Sequence, residues 1–574
     1  MAPSLLVLTL VLTGAPDAAA LRERGAPGLA AIRAAALSAH VKFLADDLLE
    51  GRAPGTRGHA LAERYAAAAF EAAGLEPAGP QGTWLQEVNV RRWIVDGARS
   101  RLTVRARGKP VALAWERDYV LAADGASPRV DVAAPLVFVG FGVVAPEYGW
   151  DELAGVDVRG KIAIVLDGAP RSDDPGFFPD LPGAVHADRC SKMERLRDRG
   201  AVGVVHVYTP QREATLPWAR AVQLARHGGR VGIEAGRPST TPLGIPLRAT
   251  ITGATFDRIL EAAGVDVRLA DLIASARQRR VPRLPPLAIE AEAHVRVAHD
   301  DAVARNVVAF VPGRDPELSG EPVLFTAHLD HFGVGTPVAG DGIFNGAADN
   351  ATGVAQLLEI GRAFGALPER PPRPVVLAAV TGEEFGFLGS LHLARHPWPA
   401  GARYAAVVNL DEAAWIGPIR DVVALGADES TLAGHARAAA DALGLVLSPD
   451  PAPELVYFVR SDHWSFVKAG IPGLMLFEGF LDDTGGAERK AAVFERYERD
   501  RYHSPKDEWD ATFDAPAMAD FARAAFLVGL SIALDPERPR WKEGSYLRRF
   551  AEGPSEGGAC TPGRAAGGTA APAP

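Results

Sequence analysis

The chain has 574 residues, 48% apolar and 23% charged, with 61 Lys and Arg against 71 Asp and Glu and a net charge of −10. Domains usually hold about 100 to 200 residues, so two or three are expected, and the composition excludes global disorder and a coiled-coil rod. The acidic balance offers no basic footprint for nucleic acid, and the two distant cysteines, Cys190 and Cys560, support neither a thiolate metal site nor a disulfide scaffold.

Residues 1–20, MAPSLLVLTLVLTGAPDAAA, hold an apolar run at 5–12, a Gly-Ala-Pro break and small residues before Leu21. This pattern predicts a secretory signal peptide cleaved after Ala20, and so a protein exported to the periplasm or the extracellular space. No cysteine follows the run to carry a lipid, and no later uncharged apolar stretch of about 18 residues supplies a span, so no stable membrane anchor is expected. Residues 29–74 read as helices around a Gly-rich turn at 51–56. Residues 88–252 read as short β-strands separated by Gly, Pro and Asp turns, with one helix near 191–199. A second α/β pattern runs from about 303 to 534, and the Gly, Pro and Ala tail at 551–574 is too poor in large apolar residues to fold.

Within the second α/β pattern, residues 322–329, 374–381 and 404–410 are continuous apolar runs of strand length, as parallel strands covered on both faces require. Between the first two, residues 350–367 place Val354, Leu357, Leu358, Gly361 and Phe364 on one helical face. The predicted fold is therefore α/β, a mixed and largely parallel sheet with helices on both faces, plus a β-rich insertion.

In an open parallel sheet, ligands bind beyond the carboxyl ends of the strands. The first run ends in AHLDH (His328, Asp330, His331), the second in TGEE (Glu383, Glu384) and the third in NLDE (Asp411, Glu412). GAADNATG opens the helix at Asp349, and RYHSPKDEW supplies His503. Together His328, Asp349, Glu384, Asp411 and His503 make a His and carboxylate set suited to zinc, manganese or cobalt. If Asp349 bridges, each of two metals receives three protein ligands, and open positions remain for a shared water. Glu383, beside a proposed ligand, is the candidate general base, and Asp330 is expected to accept the second ring N–H of His328.

These stretches, with RSDHWSFVKAGIP at 460–472, stand in the order found in exported metallopeptidases with two co-catalytic zinc ions, which the sequence resembles over about residues 305–510. That group comprises secreted bacterial aminopeptidases and, more distantly, glutamate carboxypeptidases; FLADDLLEGRAPGT at 43–56 resembles its amino-terminal segment. The resemblance implies one zinc on His328, Asp349 and Asp411, the other on Asp349, Glu384 and His503, Glu383 as base, and a cis peptide after Asp349. Two positions depart from the family: Glu412 and Ala413 replace a usual Met and Gly, and Phe458 stands where some relatives carry an oxyanion tyrosine. The neighbouring Tyr457 would point to the other face of a strand, so no oxyanion tyrosine is assigned.

Residues 140–170 and 191–208 resemble the two halves of a protease-associated domain, a β-rich insertion that covers or shapes a peptidase cleft. The expected organisation is a signal peptide at 1–20 and an amino-terminal peptidase part at 21–88. A β-rich region follows at 89–290, with the protease-associated domain at about 131–255, then a catalytic domain at 291–545 and a loose tail at 546–574.

Gly140, Gly142 and Ala145 mimic a dinucleotide fingerprint, but Pro146 and Tyr148-Gly149 replace the helix that a phosphate cradle needs. Gly553, Ser555 and Gly557 mimic a nucleophile elbow without a strand or helix to form it. His331, Asp462 and His463 could be ligands in a different register, His331 most of all, but read as supporting or packing residues, and His186, His206 and His396 as structural or surface ones. The charged run 488–501 reads as a solvated helix, or alternatively as a lid presenting His503.

The expected function is a secreted di-zinc aminopeptidase acting on peptides. A carboxypeptidase or dipeptidase on the same site is the alternative, since Arg460 suits a terminal carboxylate and Glu412 an ammonium. A non-catalytic receptor-like module is the third reading.

Overall fold

The computed structural model describes residues 17–241, 243–412, 415–483 and 486–553. Most of the expected signal peptide, Cys560 and residues 554–574 lie outside the described residues, and Cys190 carries no free thiol.

Asp17 caps helix α1 (Ala18–Ala31) by accepting from the Ala20 amide, and Leu21 is buried. Helices α2 (Ala34–Leu44) and α3 (Arg57–Ala72) follow, the latter capped by the Thr56 hydroxyl. Leu37, Val41, Ala62, Ala66 and Phe70 join these helices to the core of the carboxy-terminal sheet, so residues 18–72 pack back across the intervening region.

The main sheet contains β1 (Leu85–Val95), β2 (Ile289–Val311), β3 (Val323–His328), β4 (Val375–Val380), β5 (Ala406–Leu410), β6 (Asp421–Leu425), β7 (Val446–Ser448) and β8 (Gly473–Glu478). Its order is β1-β2-β4-β3-β5-β8-β6-β7. The four central strands β4, β3, β5 and β8 are parallel, with antiparallel neighbours on either side. Along β3 and β4, alternate residues enter opposite cores. Val323, Phe325, Ala327, Val375, Leu377 and Ala379 face α4 (Thr352–Gly365) and α6 (Ala515–Leu534), while Leu324, Val376, Ala378 and Val380 share a core with Leu393 and Ala394 of helix Leu388–Arg395. Burial on both faces explains the unbroken apolar runs. The helix α5 (Glu488–Asp500) lies between β8 and α6 in the chain.

Helix α6 is long and apolar enough to cross a membrane, although Asp520 and Arg523 interrupt it, so it is not the uncharged stretch a span calls for. Most of it is buried in the core, against α4 and the sheet.

The inserted region has its own core, built from Leu121, Phe138, Ile164, Val205, Ile251 and Phe256 among others. Strands Arg129–Phe138, Ile162–Leu166, Gly203–Val207 and Leu247–Ile251 are parallel in that order. The single helix expected near 191–199 is present as Arg189–Asp198, but Trp218–His227, Gly253–Ala262 and Leu269–Arg277 are helical as well. These are short segments whose apolar stripe covers only two or three turns, too brief for a clear period.

Strand pairing runs across the division expected at residues 290 and 291. Strand β2 pairs with Arg101–Ala106 and Arg129–Phe138 along its first part and with β1 and β4 along the rest, so one strand runs through both bodies. At the other end, residues 547–552, placed in the expected tail, belong to the folded body. Leu547 is buried, helix Arg548–Glu552 follows, and Phe550 meets Trp464 edge-on at 5.4 Å.

Candidate active site

The carboxyl ends of the parallel strands bring the candidate residues together. His328 ends β3, Glu383 and Glu384 occupy the turn after β4, and Asp411 and Glu412 follow β5. Asp349 lies just before α4, on a cis Asp349–Asn350 peptide, as the resemblance implies.

His328 Nε2 lies 3.1 Å from Asp349 Oδ1 and 3.1 Å from Asp411 Oδ1. His503 Nε2 lies 3.2 Å from Asp349 Oδ2 and 3.2 Å from Glu384 Oε2. Asp349 thus faces both imidazoles, one through each oxygen. His331 stands beside the second group, with Nδ1 2.5 Å from Glu384 Oε1 and 4.0 Å from Asp349 Oδ2, and competes with His503 as a donor there.

Asp349 Oδ2 and Glu384 Oε1 are buried, with the imidazole nitrogens of His503 and His331 beside them at 3.2 and 2.5 Å and no further donor among the described residues. Such carboxylate oxygens, packed among further carboxylates, are costly unless a cation meets them. The donor set therefore fits divalent metal ions of the zinc kind.

Burial, with the charges of Asp411, Asp462 and Asp349, pushes Glu383 well above the usual carboxylate range, against the opposing pull of His328. Burial also opposes ionisation of Asp349, yet hydrogen bonds from His328 and His503 outweigh it and hold this carboxyl well below its usual range. For His328, burial is outweighed by Asp411 and by the hydrogen bonds with Asp349 and Asp411, which raise it.

Asp330 sits differently from expectation. His328 Nδ1 meets the main-chain carbonyl of Asp330 at 3.2 Å, while the Asp330 carboxylate is 4.0 Å away. That carboxylate accepts from the amides of Gly382 at 2.6 Å and Glu383 at 3.2 Å, and so fixes the turn that carries Glu383. A two-residue spacing puts both groups near the imidazole, but the turn after β3 presents the carbonyl and frees the carboxylate.

Four further residues escaped the sequence reading. Asp507, in the same motif as His503, accepts from the amides of Ala348 and Asp349 at 3.0 Å each, and its own carbonyl accepts from Ala347 at 3.0 Å. Buried Arg52 donates to the carbonyls of Leu329 at 2.9 Å, Asn345 at 2.5 Å and Gly346 at 3.0 Å, and to that of Leu44. It ties the amino-terminal motif to the loops bearing His331 and Asp349. Tyr502 stacks on His503 with ring centroids 3.7 Å apart.

The fourth is Tyr457. Residues Tyr457–Val459 form a 3-10 turn rather than a strand, so the alternation that turned Tyr457 away does not apply. Tyr457 lines a small cavity of about 20 Å3 together with Asp349, Glu383, Asp411, Glu412, Arg460 and Tyr502. Phe458 turns instead to His463, 4.8 Å between centroids. Both carboxylate oxygens of Glu412 are buried without a hydrogen-bond partner. Arg460 donates to Tyr502 Oη at 3.1 Å and to the Leu455 carbonyl at 3.4 Å.

A cleft of about 680 Å3 opens beside this cavity. Glu384, His503 and Tyr502 line it on one side, and Arg189 and Arg212 of the inserted region on the other. Arg220 of the insertion donates to the carbonyls of Glu498 and Arg499 at 3.1 and 2.7 Å, which ties α5, the charged segment before His503, to that wall.

Residues 306–528 match Peptidase family M28. The fold is similar to that of an aminopeptidase from Aneurinibacillus sp. strain AM-1, with a TM-score of 0.52 and 18% identity over 90% of this chain and 97% of that one. A probable zinc metalloprotease of Pyrenophora tritici-repentis is 40% identical over 75 residues, 13% of this chain and 17% of the relative. A vacuolar membrane protease of Lodderomyces elongisporus is 30% identical over 95 residues, 17% of this chain and 9% of the relative. The chain spans less than a fifth of the length of either of these curated relatives.

Proposed function

We propose that this chain is a two-metal exopeptidase, an aminopeptidase that hydrolyses the amino-terminal bond of peptides. The observation that carries the reading is the convergence of His328, Asp349, Asp411, Glu384 and His503 at the strand ends, with buried oxygens of Asp349 and Glu384 whose charge a cation would compensate. His328, Asp349 and Asp411 would hold one zinc, and Asp349, Glu384 and His503 the other, with manganese or cobalt as substitutes. Bound there, the two ions would supply a Lewis acid for the scissile carbonyl and lower the pKa of an attacking water.

Glu383 takes the proton from that water and returns it to the leaving amine, and Asp330 holds its main chain for the task. The Tyr457 phenol, lining the same cavity, donates to the oxygen on which charge develops. Glu412 supports recognition of the amino end, because its buried and unpartnered carboxylate lies where an ammonium would compensate it. The inserted region, read as a protease-associated domain, roofs the cleft and limits access to short or extended peptides. We also propose export through residues 1–20, tested by amino-terminal sequencing of the mature protein.

Arg460 in the same cavity favours a second reading, a carboxypeptidase or dipeptidase that binds a terminal carboxylate. The test compares an amino-acylated chromogen with an amino-blocked peptide, with and without chelator. Turnover of the free-amine substrate alone, abolished by chelation, is expected. Cleavage of the blocked peptide from its carboxyl end would replace the first reading with the second, and no hydrolysis of any peptide would leave a binding module.

A further inference from the structure

A second cluster of metal-binding side chains shares no residue with the candidate active site. Glu234 ends strand Gly229–Glu234 of the insertion, whose earlier residues pair with β1. It faces His392 and His396, one helical turn apart on the helix Leu388–Arg395 and its cap, immediately beyond the Glu383 and Glu384 turn. Glu234 Oε1 lies 3.9 Å from His392 Nδ1 and 3.9 Å from His396 Nε2, and the two imidazole centroids are 4.6 Å apart. A donor atom from each residue can be chosen so that all lie within 4.8 Å of one another.

Several features suit a cation better than a hydrogen-bonded cluster. At 3.9 Å the carboxylate is too far from either ring nitrogen for a hydrogen bond, yet near the separation that one ion imposes. Ligands about 2.0 to 2.2 Å from a tetrahedral zinc stand roughly 3.4 Å apart, so each carboxylate–imidazole pair would close by about half an ångström onto an ion. Arg395 Nη1 is 3.5 Å from Glu234 Oε1 and 3.3 Å from the Ser239 carbonyl, so it can keep the carbonyl while the carboxylate turns to an ion.

We propose that Glu234, His392 and His396 form a third divalent-metal site, of zinc type, that clips the inserted strand to the helix following the Glu383 turn. Two imidazoles and one carboxylate complete three positions, and water fills the rest. The donors come from segments about 160 residues apart in sequence. The site would therefore couple the seating of the insertion to metal availability rather than perform hydrolysis.

The test is a Zn2+ titration of the whole protein by calorimetry, with metal content measured after dialysis, on wild type, Glu234→Gln and His396→Ala. Wild type is expected to take up about one zinc equivalent more than either variant and to gain a larger zinc-dependent rise in its melting temperature. Peptide turnover at low zinc should be the same in all three. Equal zinc equivalents and equal thermal shifts in wild type and both variants would overturn the proposal, whatever the active-site metal count. Glu234 and His396 side chains are 39% and 54% exposed, so both variants should fold.

Discussion

Asp507 offers a sharp test of how the candidate metal site is held. It is fully buried, and its two carboxylate oxygens accept the amides of Ala348 and Asp349, the residues that aim the Asp349 side chain between His328 and His503. In Asp507→Asn, the amide oxygen can accept one of these N–H groups, while its NH2 faces the other. One buried donor is left unpaired, at about 1 to 3 kcal/mol. If some 2.5 kcal/mol falls on the bound state, metal affinity should drop roughly 70-fold, since about 1.4 kcal/mol is one decade. That lies within the roughly 10 to 100-fold typical of residues that orient a metal ligand. Competition with a chromophoric chelator gives the affinity, and urea unfolding of the metal-free protein separates it from stability. Affinity and turnover within twofold of wild type, in a folded variant, would refute the reasoning. A fall in stability alone would show that Asp507 serves folding and not the site.

Glu383→Gln should cut kcat by roughly 10^2 to 10^4-fold with metal content unchanged, measured by turnover and elemental analysis; retention of most of kcat would remove Glu383 from the role of base. Glu412→Gln should raise KM for a free-amine substrate about tenfold, with little change for an analogue lacking the amine; equal effects on both would count against ammonium recognition. His59 bridges the Arg52 carbonyl at 3.0 Å and the Thr381 hydroxyl at 2.8 Å, and burial, with the charges of Arg52, Arg230 and Arg305, pushes it down to about 3. Its folded value lies below the unfolded 6.5, so the unfolded chain binds the proton first. The stability it contributes is therefore whole above pH 6.5 and lost as pH falls toward 3. Wild type should lose roughly 3 kcal/mol more than His59→Gln between about pH 6.5 and 4, and parallel unfolding profiles would contradict this.

The sequence by itself determined the main sheet and the place of its candidate site. The apolar runs of β3, β4 and β5 are legible because both faces are covered, and polar residues at their carboxyl ends mark where a ligand crevice must open. That rule alone yields His328, Asp330, His331, Glu383, Glu384, Asp411 and Glu412 as candidates, and the motifs of Asp349 and His503 add the rest. Tertiary structure alone decided the residues that hold them. Asp507 and Arg52 act through main-chain groups of loops distant in sequence, and no side-chain pattern encodes which carbonyls or amides will be left facing them.

The same limit explains the differences at Tyr457, Asp330 and β2. Alternation along a strand turned Tyr457 away, whereas a 3-10 turn brings it into the cavity, and a local dihedral change of that kind leaves no periodic trace. Spacing put Asp330 near His328, but the turn after β3 chose which of its oxygens faces the ring. Strand β2 passes from one sheet into the other because each half finds its hydrogen-bond partners in a different part of the chain. Periodicity reports which faces are buried, and it is silent on what buries them; that pairing is long-range and is set only when the chain closes on itself.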